Sequence, residues 1–252
     1  MLTHTHRIAV LVLISAIAVI GMLFVDPIPQ DPAYHLFADT RTFAGIANGW
    51  NVLSNLPFIF VGLYGLWRYR SLSEAKSEHG YLALCLGALL IGAGSSWYHL
   101  APDTGTLLWD RLPMTIAFMA TLSLLLDERV VPASNRSTLW PLLIAGAAAA
   151  LYWAWTESIG HGDLRPYAVI QFLPLALIPL ILVFFKSGYL SNAWLGSALA
   201  LYVVAKSFEF LDRQVYEIAT LGGHSLKHVL AAASLLCIIL AVPAGRGSGR
   251  RN

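Results

Sequence analysis

Two histidines lie four residues apart near the last apolar stretch of the chain, His224 and His228 in GGHSLKH. Residues i and i+4 share one face of a helix, so both imidazoles can point at one metal ion. This spacing is typical of zinc metalloproteases, in which a glutamate after the first histidine is the general base. Ser225 occupies that place here. A base therefore has to come from elsewhere in the chain.

Other residues could complete such a site. A catalytic zinc ion takes three protein ligands and leaves one position open. His99, in GSSWYHLAPD, is the candidate third ligand, and Ser95 lies one helical turn before it. Asp110, in LLWDRLP, is the candidate acid–base group. His161 is a weaker candidate for a fourth ligand.

Several polar residues near these segments also have a purely structural interpretation. Asp110 could cap the helix that follows it. Lys227 could be a snorkelling or loop-facing charge. Glu209 and Asp212 could support the histidine ligands from outside, or they could belong with Glu217 to a solvated acidic loop. The remaining histidines fall in predicted loops or termini and are expected to be solvated: His4, His6, His35 and His79.

The elements that must position these residues are membrane helices. The 252 residues are 57% hydrophobic and 12% charged, whereas soluble domains carry about 25% charged residues. Most of the surface must therefore face lipid.

The net charge of +2 and the lack of a basic patch argue against nucleic acid as a partner. Cys85 and Cys237 both lie in apolar runs and are expected to be buried thiols.

Eight apolar segments are predicted, most of them near the about 20 residues needed to cross a bilayer. The fold class is therefore all-α, a polytopic bundle with a seven-helix core and one extra N-terminal transmembrane helix. The first segment could instead be a signal peptide, but its apolar run is long and no cleavage site follows. The segments span approximately residues 7–25, 50–68, 81–100, 112–126, 138–155, 167–185, 192–208 and 225–242.

Charge placement predicts the orientation. With the N-terminus inside and eight spans, ten of the sixteen basic residues fall on the inner side, as the positive-inside rule requires. Both termini are then cytoplasmic, in a bacterial inner membrane. His99, Asp110, His224 and His228 all fall at the outer side. Ionisable groups at membrane depth are costly and usually functional, so their convergence favours a metal site.

The combined pattern resembles the alkaline ceramidase family, which belongs to a superfamily of membrane hydrolases that includes adiponectin-type receptors. The resemblance rests on Ser95-x-x-x-His99, on Asp110 and on His224-x-x-x-His228, and GSSWYHLAPD, LLWDRLPM and GGHSLKH are similar to bacterial members. NVLSNLPF, at 51–58, resembles the start of the first core helix of that family. The predicted domains are an N-terminal helix and linker (1–34), a ceramidase-like membrane domain (35–242) and a disordered basic tail (243–252).

The resemblance implies a zinc ion held by His99, His224 and His228, with Asp110 moving protons and Ser95 steadying the oxyanion. It implies hydrolysis of the amide bond of ceramide or a related N-acyl lipid taken from the bilayer. Eukaryotic relatives also bind calcium through an N-terminal acidic stretch. Here Asn48 replaces a glutamate of that stretch, and Asp31 and Asp39 are differently spaced, which argues against calcium. Asn51 and Asn55 form a separate i, i+4 pair that could join helices.

Three competing classes stay open on the sequence alone. A seven-helix lipid receptor or sensor could use the same bundle without turnover, although it would need a soluble region to pass on its signal. A haem carrier needs histidines on facing helices, whereas His224 and His228 share one helix face. A transporter would show paired broken helices, and the sequence shows no such pair.

Overall fold

The computed structural model describes residues 3–72, 78–131 and 138–243. The regular secondary structure in these ranges is helical, and a single β-bridge joins Phe43 to Ile46. The all-α class is therefore confirmed. The predicted basic tail, residues 243–252, lies outside the described residues except for Pro243.

Ten α-helices are present in the described ranges, and short turns of other helical types link some of them. Met22–Phe24 and Pro32–His35 form 3₁₀ turns, and a π turn at Leu126–Val130 ends the fifth helix. The helices are α1 His4–Gly21, α2 Gly49–Leu53, α3 Leu56–Tyr69, α4 Glu78–Leu100, α5 Leu107–Leu125, α6 Leu139–Ser158, α7 Arg165–Phe184, α8 Asn192–Phe210, α9 Asp212–Ala219 and α10 Gly223–Ala241.

Five of these helices are long and apolar enough to cross a membrane: α1, α4, α6, α7 and α10. The pair α8 and α9, bent by 84° at Leu211, gives a sixth if it counts as one broken span. The chain is thus a multi-pass membrane protein. The helix α3, with 14 residues, and the helix α5, with a charged pair near its start, fall outside this set. The count of seven core spans plus one stays a prediction.

The predicted segment 50–68 is two helices rather than one. The helix α2 ends at Leu53, and α3 begins at Leu56 with Pro57 in its first turn. Proline has no N–H, so it cannot donate to the carbonyl four residues earlier and favours a helix start. The break between α2 and α3 falls within the short polar stretch 51–55.

The core lies between α3, α4, α5, α8 and α10. Leu84, Ala88, Ala120, Leu125 and Ile239 are fully or almost fully buried in it. The helix α1 lies outside this core and packs against α7; Leu11 is its one buried residue. The Arg7 guanidinium also donates to the Phe184 carbonyl at the end of α7. This arrangement suits an accessory helix added to a bundle that is already packed.

Candidate metal centre

Three histidines form a buried cluster where α4 ends and α10 begins. His99 is the penultimate residue of α4, and His224 and His228 lie in the first two turns of α10. The side chains are 0–4% exposed, and one ring nitrogen of each lies within 4.8 Å of the others. In the described ranges, this is the one group of histidine, cysteine or acidic side chains close enough to hold a metal ion.

The spacing of the ring nitrogens suits a tetrahedral metal. Nε2 of His99 lies 3.3 Å from Nε2 of His224. Two nitrogens that bind zinc at 2.0–2.1 Å with a tetrahedral angle between them are separated by about 3.3 Å. Nε2 of His228 is buried and has no hydrogen-bond partner among the described residues, so it is free to act as the third ligand. The three residues therefore could hold a metal ion.

A serine that the sequence did not single out orients one of these rings. The Ser54 hydroxyl lies 2.8 Å from Nδ1 of His228 and donates to the Asn51 carbonyl at 3.1 Å. A partner on the second ring nitrogen fixes which nitrogen is left for a metal. The helix break after Leu53 places Ser54 at this point. Its one sequence signal is its position between Asn51 and Asn55, the polar pair already noted in the same motif.

The two asparagines have different partners. The Asn51 amide donates to the Asp39 carbonyl at 2.9 Å, and its oxygen accepts from Ser225 at 2.7 Å. Asn51 therefore joins α2 both to α10 and to the segment that precedes it. The Asn55 amide donates to the Asn51 carbonyl of its own helical stretch, so only Asn51 joins helices through these bonds.

Asp212 fixes the start of α10 from the neighbouring helix α9. Its carboxylate accepts from the backbone N–H of His224 and from that of Ala38, both at 2.8 Å. The N-cap residue of α10 is Gly222, which offers no side-chain acceptor, so Asp212 supplies the missing one. A Cβ on Gly223 would lie 2.3 Å from the Phe208 carbonyl oxygen, so glycine is needed for this close approach.

Glu209 contacts the cluster through a lysine. It lies in the last turn of α8, forms an ion pair with Lys206, and lies 3.1 Å from Nζ of Lys227. The same Nζ lies 3.1 Å from Nε2 of His224. The interpretation of Lys227 as a loop-facing charge is wrong, because its side chain is 14% exposed. Glu209 does not belong to a solvated loop either, whereas Glu217 is exposed on α9.

Ser95 and Asp110 lie on neighbouring helices that approach each other at Gly94. A Cβ on Gly94 would lie 1.9 Å from the Trp109 carbonyl oxygen, so only glycine permits this contact between α4 and α5. Ser95 and Asp110 directly follow these two residues and are 1% and 5% exposed. The Ser95 hydroxyl lies beside the Asp110 carboxylate. The interpretation of Asp110 as an N-cap is wrong, because Thr106 precedes the first residue of α5 and Asp110 is its fourth.

A cavity of about 450 Å³ opens beside the cluster. Ser95, Asp110 and His228 line its polar end. Its apolar arm follows α10 from His228 to Ile238, a distance of about 15 Å at the helical rise per residue. Side chains from α5, α7 and α8 complete this arm, among them Phe118, Leu125, Phe172, Ile178 and Leu195. The shape suits a molecule with a polar head and a long apolar tail.

Two other histidines fall outside the cluster. His161 is exposed in the turn after α6, so its prediction as a fourth ligand is wrong. His35 is half-buried rather than solvated. Its ring nitrogens lie 2.9 Å from the Tyr98 hydroxyl and 3.2 Å from the Thr104 hydroxyl. Burial lowers the pKa of His35, so its ring stays neutral at physiological pH.

The acidic residues near the N-terminus are engaged elsewhere. The Asp39 carboxylate accepts two side-chain hydrogen bonds from Arg41, at 2.9 and 2.7 Å, and this pairing lowers the pKa of Asp39. Asp31 caps the 3₁₀ turn at Ala33. The Asn48 side chain donates to the His99 carbonyl at 3.0 Å. As arranged here, these residues do not form a calcium-binding set.

Fold and site together define a class: a helical membrane protein with a buried three-histidine cluster beside a largely apolar cavity. The family model described as Ceramidase matches residues 39–242. The chain therefore belongs to the ceramidase family, as its motifs indicate. No curated protein matches the chain. The matched range covers α2 to α10 and leaves α1 outside it.

Proposed function

We propose that the protein is a zinc-dependent intramembrane hydrolase that cleaves the amide bond of ceramide or a related N-acyl lipid. The observation that carries this proposal is a cluster of three buried histidines, of which His228 lines a cavity together with Ser95 and Asp110. The family to which the chain belongs supports the same reaction class.

The donor set favours zinc. Three imidazole nitrogens leave one position of a tetrahedral ion open, as in catalytic zinc sites. When bound, zinc lowers the pKa of a coordinated water to about 7 and polarises a carbonyl. Ser54 holds the His228 ring in place, and Asp212 holds the backbone from which the His224 ring projects. The residues themselves thus keep the cluster aligned.

Asp110 and Ser95 provide the remaining chemistry. Asp110 takes a proton from the attacking water and delivers it to the amine that leaves, so one carboxylate serves both halves of the reaction. The Ser95 hydroxyl, which is buried beside Asp110, donates to the oxygen of the scissile carbonyl as negative charge develops there. Such a donor is worth about 10²–10³ in rate.

The apolar arm of the cavity receives the acyl chain. Placing the amide at the polar end keeps the reacting bond near the headgroup boundary while the chain stays among apolar side chains. With both termini in the cytoplasm of a bacterial cell, this polar end lies toward the outer face of the inner membrane. Calcium takes no part in this proposal, because the side chains of Asp39 and Asn48 are bonded to Arg41 and to His99.

A lipid-hydrolysis assay with metal analysis of the same preparation tests the proposal. Purified protein is expected to carry close to one zinc per chain and to release fatty acid from at least one N-acyl lipid. His224→Ala should lose most of the zinc and the turnover. His161→Ala, at an exposed histidine of the same chain, should keep both. Wild-type protein that is purified without chelator and lacks metal would contradict the proposal, and zinc without turnover would favour a receptor.

A further inference from the structure

Arg111 is a buried cation that forms no ion pair with a carboxylate of the described residues. It follows Asp110 on α5, is 6% exposed and lines the polar end of the cavity. Its guanidinium carbon lies 4.2 Å from the ring centroid of Trp153, 5.0 Å from that of Tyr167 and 5.4 Å from that of Tyr34. Aromatic faces attract a cation, but they do not supply the anion that a charge in a low-dielectric site requires.

The neighbouring acids do not fill this role. Adjacent residues of a helix point in different directions, and Asp110 forms no ion pair with Arg111 in the described structure. The other two cations that line the cavity, Lys206 and Lys227, share Glu209. Among the cations that line this cavity, Arg111 is therefore the one without a carboxylate partner in the described ranges.

The same fold pairs its other buried arginine. Arg129 is 4% exposed. Nε of its guanidinium lies 2.5 Å from the Glu128 carboxylate, and Nη2 donates to Asn192 and to the Leu190 carbonyl. Nη1 has no hydrogen-bond partner among the described residues in either arginine. The two arginines therefore differ in the carboxylate, which Arg129 has and Arg111 lacks in the described ranges. This difference indicates that Arg111 is built for an anion from outside the chain, since buried ionisable groups in membranes otherwise find partners.

A second donor lies beside Arg111. The Tyr167 hydroxyl is buried, has no partner in the described part of the chain and belongs to a residue that lines the same cavity. Tyr34, the third aromatic neighbour, is 36% exposed and lines the same cavity. A guanidinium edge and a phenol thus offer hydrogen bonds to a group that enters this cavity.

We propose that Arg111 and Tyr167 form a subsite for an oxyanion on the amine half of the lipid substrate, a carboxylate or a phosphate. The inference rests on the proposed function and narrows its substrate class to N-acyl lipids with an anionic headgroup. The planar fork of arginine matches both oxyanions through paired N–H donors. Neutral ceramide would leave the guanidinium charge unbalanced and should be the poorer substrate.

The first test measures binding and needs no turnover. The probes are dodecyl phosphate and dodecanol, added to protein in phosphatidylcholine nanodiscs, with affinity taken from calorimetric titration. Wild-type protein should bind the phosphate at least about tenfold more tightly than the alcohol. Arg111→Gln should lose about 10- to 100-fold of the phosphate affinity, the usual worth of a charge-assisted hydrogen bond. Arg213→Gln, at an exposed arginine of α9, should bind as wild type does.

Arg111→Lys keeps the charge without the fork and should bind with intermediate affinity. It also serves if the glutamine variant does not fold. Equal affinity of wild-type protein for the two probes would overturn the proposal, and that comparison needs no variant. An equal loss in Arg213→Gln would overturn it too, because the effect would then reflect surface charge.

The second test compares turnover on an N-dodecanoyl amino acid with turnover on its neutral methyl amide. The ratio of kcat/KM values should favour the acid by about 10- to 100-fold in wild-type protein and fall in Arg111→Gln. Turnover with a ratio near one contradicts the subsite. A third outcome would also overturn the proposed subsite: a kcat/KM ratio near one together with binding of dodecanoate that depends on Arg111. Arg111 would then bind the carboxylate of the fatty-acid product and not the headgroup of the substrate. Absence of turnover on every lipid contradicts the proposed function alone, since the binding test still decides the subsite.

Discussion

Replacing Gly94 by alanine tests the contact that aligns the two proposed catalytic side chains. The added Cβ would lie 1.9 Å from the Trp109 carbonyl oxygen and 2.9 Å from its carbon. Both atoms are backbone, so no side chain can rotate away. The nearest distance must lengthen from 1.9 Å to at least 3.0 Å, so α4 and α5 have to separate by about 1 Å.

That displacement should cost more activity than stability. Overpacking costs about 1–3 kcal/mol, and the better helix propensity of alanine returns about 1 kcal/mol of it. The net loss of unfolding free energy is then about 0–2 kcal/mol, which leaves the protein folded. Ser95 and Asp110 adjoin the contact on either side, however, and a misplacement of about 1 Å can cost about 10²-fold in rate.

The assay is turnover on a confirmed N-acyl lipid, with the melting temperature of the same samples. Gly196→Ala is the matched control, because Gly196 lies in α8 and its new Cβ would meet no atom within 4 Å. The control should keep its turnover and gain slightly in melting temperature. If Gly94→Ala also kept wild-type turnover and melting temperature, the close approach of α4 and α5 and the alignment of the site derived from it would both be refuted.

Three further results are expected. Asp110→Asn should keep its zinc, by metal analysis, and lose about 10²–10⁴ of its turnover, the usual worth of a positioned acid–base group; full turnover would move the proton-carrying role elsewhere. Arg41 lowers the pKa of Asp39 below its ordinary 3.8, so this ion pair should stabilise the fold above about pH 4 and less as the pH falls further. The melting temperatures of wild type and Asp39→Asn should therefore converge as the pH falls below about 4, and a constant difference would contradict the pairing. Reporter fusions at the C-terminus should give a cytoplasmic signal, whereas an external signal would mean an odd number of spans.

Local periodicity explains why the sequence predicted the metal cluster. His224 and His228 share a helix face through their spacing alone, and the alternation of spans places His99 at the same side. Neither argument needs knowledge of packing. Ser54 was missed because its contact with His228 depends on the break between α2 and α3, and joins residues 174 positions apart.

Two of the incorrect interpretations, those of Asp110 and of α9, arose because the bounds of a helix were misplaced. Asp110 was taken for a cap because the apolar run begins after it, but α5 begins earlier. Asp103 and Thr106 bond to each other, with the Thr106 N–H donating to Asp103 at 2.7 Å, and this polar turn starts the helix. The helix α9 was read as a loop because its residues are polar. The helix α9 has no buried residue, so its sequence has no apolar run that would have marked it as a helix.

The three histidines also have a consequence for how the protein is made. His99 and His224 are 125 positions apart, and a ribosome adds about 5–20 residues per second. The first ligand therefore waits about 6–25 s in the membrane before the other two are synthesised. During that time Ser54 and Asn51 lack the partners that α10 will bring. The three-histidine cluster cannot form until the last helix is inserted, so a metal ion that needs all three imidazoles can bind only at the end of synthesis.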